Sequence, residues 1–342
     1  MEGSRFTRAA QLVQWMGCIQ AQDFAGAKWA IGSRLEGITD AAVEKELNEG
    51  HFLRTHILRP TWHFVSPGDI RWMLRLTAPK IKALSRNYHR NLNITAAVLK
   101  RSRAVLEKSL AGGQQLNRQE LTARLQKAKI NTDDIRLSFL LMDAELDGVI
   151  CSGPRKGKQF TYALLEERVS PVAALSRQES LGELARRYFI SRGPATLPDF
   201  AWWGGLTLTD AREGLERCKQ WLVNEVVNGQ AYWFSAAAAS PPIITAAAAK
   251  RVYLLPAFDE YAIGYKDRND ILPADRSVKT GNGIFKPIII AGGKIAGVWQ
   301  RELVKDVVTV APAPFRPLSQ PVERELKAAV KRYGKFLGMK TV

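Results

Sequence analysis

Apolar positions in the first quarter of the chain recur at helical spacing and then give way to β-branched and aromatic runs. Ala9, Leu12, Val13 and Met16 predict one helix, and Phe24, Ala27, Ile31 and Leu35 a second. Thr39-Asp40 opens a third, which carries Val43 and Leu47 and stops at Gly50. Residues 52–65, divided by Pro60, predict a hairpin. Helix, helix, helix, hairpin is the order of a winged helix, expected over residues 1–68. The order returns in residues 114–175. There a capping box, Asn117 to Glu120, precedes Leu121 and Leu125, and a further helix carries Phe139, Leu140 and Leu146. Two strands then flank the basic glycine turn Arg155-Lys156-Gly157-Lys158. It returns again in residues 176–235, where Asn228-Gly229 marks the hairpin turn. Residues 69–113 predict a basic helical linker. From 236 onward an alanine-rich stretch leads into strands at 252–255, 284–290, 295–299 and 307–310 and a closing helix at 320–337. The expected class is therefore α+β: three tandem winged-helix modules, then a C-terminal β-rich domain over 236–342.

One stretch does not fit a core-packing explanation. Gln20-Ala21-Gln22-Asp23 places two amides and a carboxylate at the joint between the first two helices. Polar groups there must meet solvent, backbone or a ligand. Asp23 is explained as the cap of the second helix, but Gln is not a favoured cap, so Gln20 and Gln22 stand as candidate functional residues.

Charge sharpens this picture. The chain has 50 Lys and Arg against 33 Asp and Glu, a net charge of +17, which points to an anionic partner, nucleic acid before membrane surface. The basic residues of the two expected hairpins, Arg54, His56, Arg59 and His63 in the first and Arg155, Lys156 and Lys158 in the second, are candidates for phosphate contact. So are Lys266 and Arg268 in a long polar loop over 264–283, together with Arg276 and Lys279. Trp202 and Trp203 have the chemistry to stack on bases, but beside a glycine pair in a helix they are expected in the core.

Other classes fall away. Three scattered cysteines and four histidines lack metal-ligand spacing, so neither a disulfide framework nor a metal is expected. Dinucleotide, Walker, serine-hydrolase and zincin motifs are absent, and no cofactor is expected. Asp259 and Glu260, read on a strand, would face opposite ways and not cooperate. No signal peptide or membrane span is apparent, so the expected location is the cytoplasm. The chain starts close to its first helix, where a few more residues are expected.

Taken together, Gln20-Ala21-Gln22-Asp23, Arg54-Thr55-His56, Arg59-Pro60-Thr61-Trp62-His63 and the run Leu255-Pro256-Ala257-Phe258-Asp259-Glu260-Tyr261 through Arg268 resemble the winged-helix DNA glycosylases of the AlkZ/YcaQ type. The resemblance spans nearly the whole chain. It implies three tandem winged helices and a β domain around a basic channel, and an enzyme that removes alkylated purines, including bulky N7-guanine adducts and interstrand crosslinks. It also implies a Gln-apolar-Gln catalytic motif, met here by Gln20, Ala21 and Gln22. An N7-alkylated guanine is cationic and leaves readily, so two uncharged amides would serve by positioning water and stabilising the oxocarbenium-like sugar rather than by strong base catalysis. With no Schiff-base lysine in the motif, the enzyme would be monofunctional. The expected partner is alkylated double-stranded DNA, engaged by a monomer. The rival readings are a non-catalytic winged-helix regulator and a purely structural glutamine pair; regulators usually dimerise on paired half-sites, which three modules in one chain do not require.

Overall fold

The computed structural model describes residues 6–133, 135–238, 251–272 and 286–342. Arg276, Lys279 and the expected strand residues Ile284 and Phe285 lie outside the described residues.

The chain opens with α1 (Ala9–Met16), whose buried stripe is the expected Ala9, Leu12, Val13 and Met16. Gly17, at φ 76°, turns the chain where a side chain would be strained. It leads into β1 (Cys18–Gln20), a three-residue strand that is buried throughout. Asp23 then caps α2 (Phe24–Gly32), accepting from the Gly26 N–H at 3.1 Å. After α3 (Asp40–Asn48) come β2 (Leu53–Ile57) and β3 (Arg59–Val65). The three strands form an antiparallel sheet in the order β1-β3-β2. The motif thus lies partly on a strand, not simply on a joint between two helices. Three residues are too few for an alternating pattern to reveal themselves.

That sheet separates two hydrophobic cores. Cys18, Leu53, Ile57 and Val65 face one, shared with α4 (Pro67–Asn91), α9 (Arg177–Arg192), α10 (Leu197–Gly204) and α11 (Leu208–Cys218). Ile19 and Phe64 face the other, shared with α1, α2 and the C-terminal sheet. The basic stretch 69–113 resolves into two helices. α4 buries Ile70, Met73, Leu74 and Ile81 in the first core, while α5 (Ala96–Leu110) packs Leu106 and Leu110 against Leu121 and Leu125.

The element order of the first region is repeated. α5, β4 (Leu116–Asn117), α6 (Arg118–Lys127), α7 (Arg136–Leu146), β5 (Ile150–Ser152) and β6 (Thr161–Leu164) give helix, strand, helix, helix, strand, strand, with sheet order β4-β6-β5. The expected Asn117–Glu120 capping box opens α6. A short α8 (Leu165–Arg168) follows. In the third region α9, α10 and α11 precede the hairpin β7 (Leu222–Val227) and β8 (Gln230–Ser235); the single bridge Ala195–Trp233 stands where the earlier regions have their first strand.

The C-terminal part comprises β9 (Val252–Leu255), α12 (Glu260–Ile263), β10 (Ile288–Ala291), β11 (Lys294–Val304), β12 (Val307–Pro314), α13 (Gln320–Leu337) and β13 (Lys340–Thr341). The strands make one sheet in the order β13-β12-β11-β10-β9. It is joined to the first region through a continuous core: Trp29 of α2 donates to the Leu254 carbonyl at 2.6 Å and packs its ring on Tyr333 and Phe336 of α13. Gly32 permits this, because a Cβ there would stand 2.5 Å from the Phe336 ring. The architecture is mixed α+β. It packs β9 into the core beneath Ile19 and Phe64 and sets Glu260 of α12 at the open edge of β1.

Candidate active site

The backbone of the glutamine motif is fixed from three sides. The Gln20 N–H donates to Glu260 Oε1 at 3.0 Å, and the Ala21 N–H donates to the Trp62 carbonyl at 2.7 Å. Arg54 Nε donates to the Ala21 carbonyl at 3.1 Å. Gln20 is 7% exposed and Ala21 is buried, whereas Gln22, beyond the end of β1, is exposed.

Glu260 is the anchor behind the motif. Its other oxygen accepts from Arg192 Nε at 3.0 Å, Arg192 Nη2 at 2.7 Å and Trp203 Nε1 at 3.0 Å. Arg192 also donates to the carbonyls of Met16 and Cys18, at 2.8 and 2.9 Å, and lies 4.4 Å over the Trp203 ring. Burial alone would raise the Glu260 carboxyl, but Arg192 and the Gln20 N–H hold it below its ordinary value. A buried carboxylate with this many charge-assisted donors stays ionised. Its neighbour Asp259 caps α12 and pairs with Arg34 through both oxygens, at 2.9 and 2.7 Å. The two carboxylates stand at a helical turn, not on a strand, and serve separate arginines.

On the face of the sheet that carries Gln20, register sets Gln20 opposite His63 and His63 opposite Thr55. Arg59 and Thr61 continue the same face along β3. Gln20 Oε1, His63 Nε2, Thr55 Oγ1, Thr61 Oγ1 and two guanidinium nitrogens of Arg59, Nε and Nη2, are buried with no hydrogen-bond partner among the described residues. Buried polar atoms in a folded protein are nearly always paired, so this many on one face mark a place built for something other than stability.

Comparison with known proteins supplies the family of the chain. A model of the family "DNA glycosylase AlkZ-like" matches residues 13–336. The chain belongs to the AlkZ-like DNA glycosylase family. It is similar to a protein from Streptomyces sahachiroi described as an interstrand DNA cross-link repair glycosylase, at 25% identity over 336 residues, covering 92% of this chain and 88% of that one. Its fold is similar to the solved structure of the S. sahachiroi DNA glycosylase AlkZ, with a TM-score of 0.78 at 20% identity, covering 99% of this chain and 95% of that one.

The basic residues of this AlkZ-like glycosylase divide by what already holds them. Arg54 is buried between the rings of Trp62 and Phe160, at 4.3 and 4.6 Å, and burial lowers its pKa to about 10. His56 pairs through Nδ1 with Glu145 and lies against the Trp62 ring. His63 has no exposed surface, and its Nδ1 meets the Thr61 carbonyl at 2.9 Å. In the turn between β5 and β6, Arg155 is engaged by Glu44 at 2.9 Å and by the Lys158 carbonyl at 2.6 Å, and Lys156 by the Gln115 carbonyl at 2.7 Å; Lys156 and Lys158 are exposed. Lys266 is exposed, and its N–H donates to Asp199.

Arg59 and Arg268 differ from these. Their guanidinium groups lie 6.0 and 5.6 Å from the ring of Trp202, which is 43% exposed. Arg268 Nη2, like two nitrogens of Arg59, has no acceptor among the described residues. Burial lowers the pKa of both, and Arg59 further lowers that of Arg268. Two arginines with N–H groups that lack acceptors among the described residues are thus brought together against their own repulsion. Trp203 is in the core as expected, but Trp202 is not: neighbours on a helix point about 100° apart, so one faces in and the other out.

Sequence reasoning missed Arg192, Trp203 as a ligand of Glu260, Thr55 and Thr61. Thr55, Thr61 and Glu260 entered only as members of the family-like runs, and Arg192 and Trp203 left no signal because their pairings with Glu260 join residues 57 and 68 positions apart. Among the described residues no three His, Cys, Asp or Glu gather as metal ligands, and no helix is long and apolar enough to cross a membrane.

Proposed function

We propose that this glycosylase hydrolyses the N-glycosidic bond of alkylated, cationic purines in double-stranded DNA, bulky N7 adducts and interstrand crosslinks included. The observation that carries this reading is Gln20: a buried amide on a rigid backbone whose carbonyl oxygen has no partner among the described residues. Gln20 and Gln22 are the catalytic pair. They orient water toward C1′ and stabilise the oxocarbenium-like sugar by hydrogen bonds to water and backbone. Amides cannot act as strong bases, so the enzyme is restricted to leaving groups that already carry positive charge, such as N7-alkylguanine, and leaves neutral bases in place. The crosslink substrate is suggested by the S. sahachiroi relative, an interstrand DNA cross-link repair glycosylase.

The three regions of like element order act as tandem winged helices on one duplex, as a monomer. Arg59 and Arg268, both close to the Trp202 ring, take backbone phosphate beside the lesion. Lys156, Lys158 and Lys266 add peripheral contacts, while Arg54, His56 and Arg155 shape the protein side of the interface. The reaction is monofunctional. A regulator is not favoured, because the match to a glycosylase family runs from residue 13 to 336.

The test is release of N7-methylguanine from alkylated duplex by wild type, Gln20→Ala and Gln22→Ala, with DNA affinity measured at one salt concentration. Loss of release by about 100-fold or more in each variant, with affinity retained, is expected. Variants that release base at the wild-type rate would remove the glutamines from the mechanism.

A further inference from the structure

Resting on that reading, the row Gln20–His63–Thr55 carries one step further. The three side chains stand side by side across β1, β3 and β2, with partner Cβ atoms about 5 Å apart in such pairs. His63 and Thr55 have no exposed surface. The contact with the Thr61 carbonyl fixes the imidazole tautomer: a carbonyl only accepts, so Nδ1 carries the proton and donates it, and Nε2 presents a lone pair. Gln20 Oε1 is also an acceptor. Neither has a donor among the described residues. Two buried acceptors beside a hydroxyl that donates or accepts match a small molecule with two protons to give, which is what water offers.

We infer that Gln20 Oε1 and His63 Nε2 together hold the hydrolytic water, with Thr55 beside it, and that His63 takes the proton the water loses. Both hydrogens of the water are then engaged and an oxygen lone pair is left for C1′. As the C1′–N9 bond breaks, its electron pair leaves with the purine and neutralises the N7 cation. The water oxygen bonds to C1′, its surplus proton passes to His63 Nε2 and thence to solvent, and the reaction releases one proton overall. Burial, with Arg59 and His56 opposing the charged form and Glu260 favouring it, pushes the imidazole pKa down to about 3, so the lone pair is free at all working pH values. So weak a base does not deprotonate resting water. It accepts a proton once the bond to an oxocarbenium carbon has made that water acidic, which restricts the chemistry to activated lesions.

The test compares His63→Asn, His63→Gln and Gln20→Ala with wild type in single-turnover release of N7-methylguanine, scaled to folded protein. Asparagine keeps a donor for the Thr61 carbonyl and deletes the Nε2 position; a loss of about 100-fold with DNA affinity retained is expected. Glutamine offers an acceptor near Nε2 that cannot take a proton. Its rate should fall less, about 10-fold, and climb with pH as hydroxide replaces the imidazole, while the wild-type rate stays flat between about pH 6 and about pH 8. If His63→Asn does not fold, the His63→Gln profile decides alone. Wild-type rates in the His63 variants, or a flat His63→Gln profile, would overturn the inference and leave a structural water only; if Gln20→Ala still collapses, the glycosylase reading survives. A wild type that releases nothing overturns both.

Discussion

His63 shows how a residue can be chemically prominent with no exposed surface. Its pKa is depressed from 6.5 to about 3, chiefly by burial and then by Arg59, which makes it a stability switch as well as a candidate proton acceptor. Between those values the unfolded chain binds a proton that the folded chain refuses. Stability is therefore unaffected by this group above pH 6.5 and falls as pH drops through the window, by at most about 1.4 kcal/mol per unit. Glu260 acts in the same direction in a lower window: its pKa is depressed from 4.5, so its contribution is present above that value and fades as pH falls below it. Urea unfolding of wild type and His63→Asn at about pH 7 and about pH 5 separates the two. Wild type should lose roughly 2 kcal/mol more than the variant across that interval, and equal losses would show that His63 titrates normally in the folded state. At this scale Gln20 was legible because its polarity broke an apolar pattern. Glu260 was visible only through the run that carries it and Arg192 not at all, since a pairing across 68 positions leaves no local trace.

At the level of elements, what the sequence shows depends on length. The amphipathic helices α1, α2 and α3 were predicted because several turns repeat one apolar face. β1 was not, because its three residues are all buried and alternate with nothing. The single bridge at Ala195 is still less visible. What makes β1 usable as a platform is the pair of devices at its ends: Gly17, in a conformation glycine tolerates, and Asp23, which starts α2 immediately after the motif. Removing that cap by Asp23→Ala should lower stability by about 1 kcal/mol, which a urea titration at neutral pH would detect. No loss at all would mean that α2 is held by the contacts of Trp29 and Gly32 with the C-terminal region and draws nothing from its cap.

Across the whole molecule, the C-terminal sheet does more than follow the three helix-and-hairpin regions in sequence. Its β9 and α13 complete the core beneath α2, and Glu260 reaches from it to Gln20, Arg192 and Trp203 at once. The site is thus assembled from the first region, the third and the tail, an arrangement that charge totals and periodicity do not encode. The charge itself is distributed unevenly in its availability. Some cations are neutralised within the protein, as at Lys28 with Asp40 and Glu44, or Arg187 with Glu183, whereas Arg59 and Arg268 keep N–H groups without acceptors among the described residues beside an exposed tryptophan. A cation that neutralises a duplex phosphate contributes about 0.9 to the slope of log affinity against log salt. Affinity of Arg59→Ala/Arg268→Ala for undamaged duplex, measured over a salt series, should therefore show a slope shallower than wild type by about 1 if the two share a phosphate and about 2 if each holds its own. Because phosphate contacts carry no sequence information, the loss should be the same on unrelated duplexes. A double variant with the wild-type slope would place the phosphate contacts on the exposed Lys156, Lys158 and Lys266 instead, and leave the two arginines to orient Trp202.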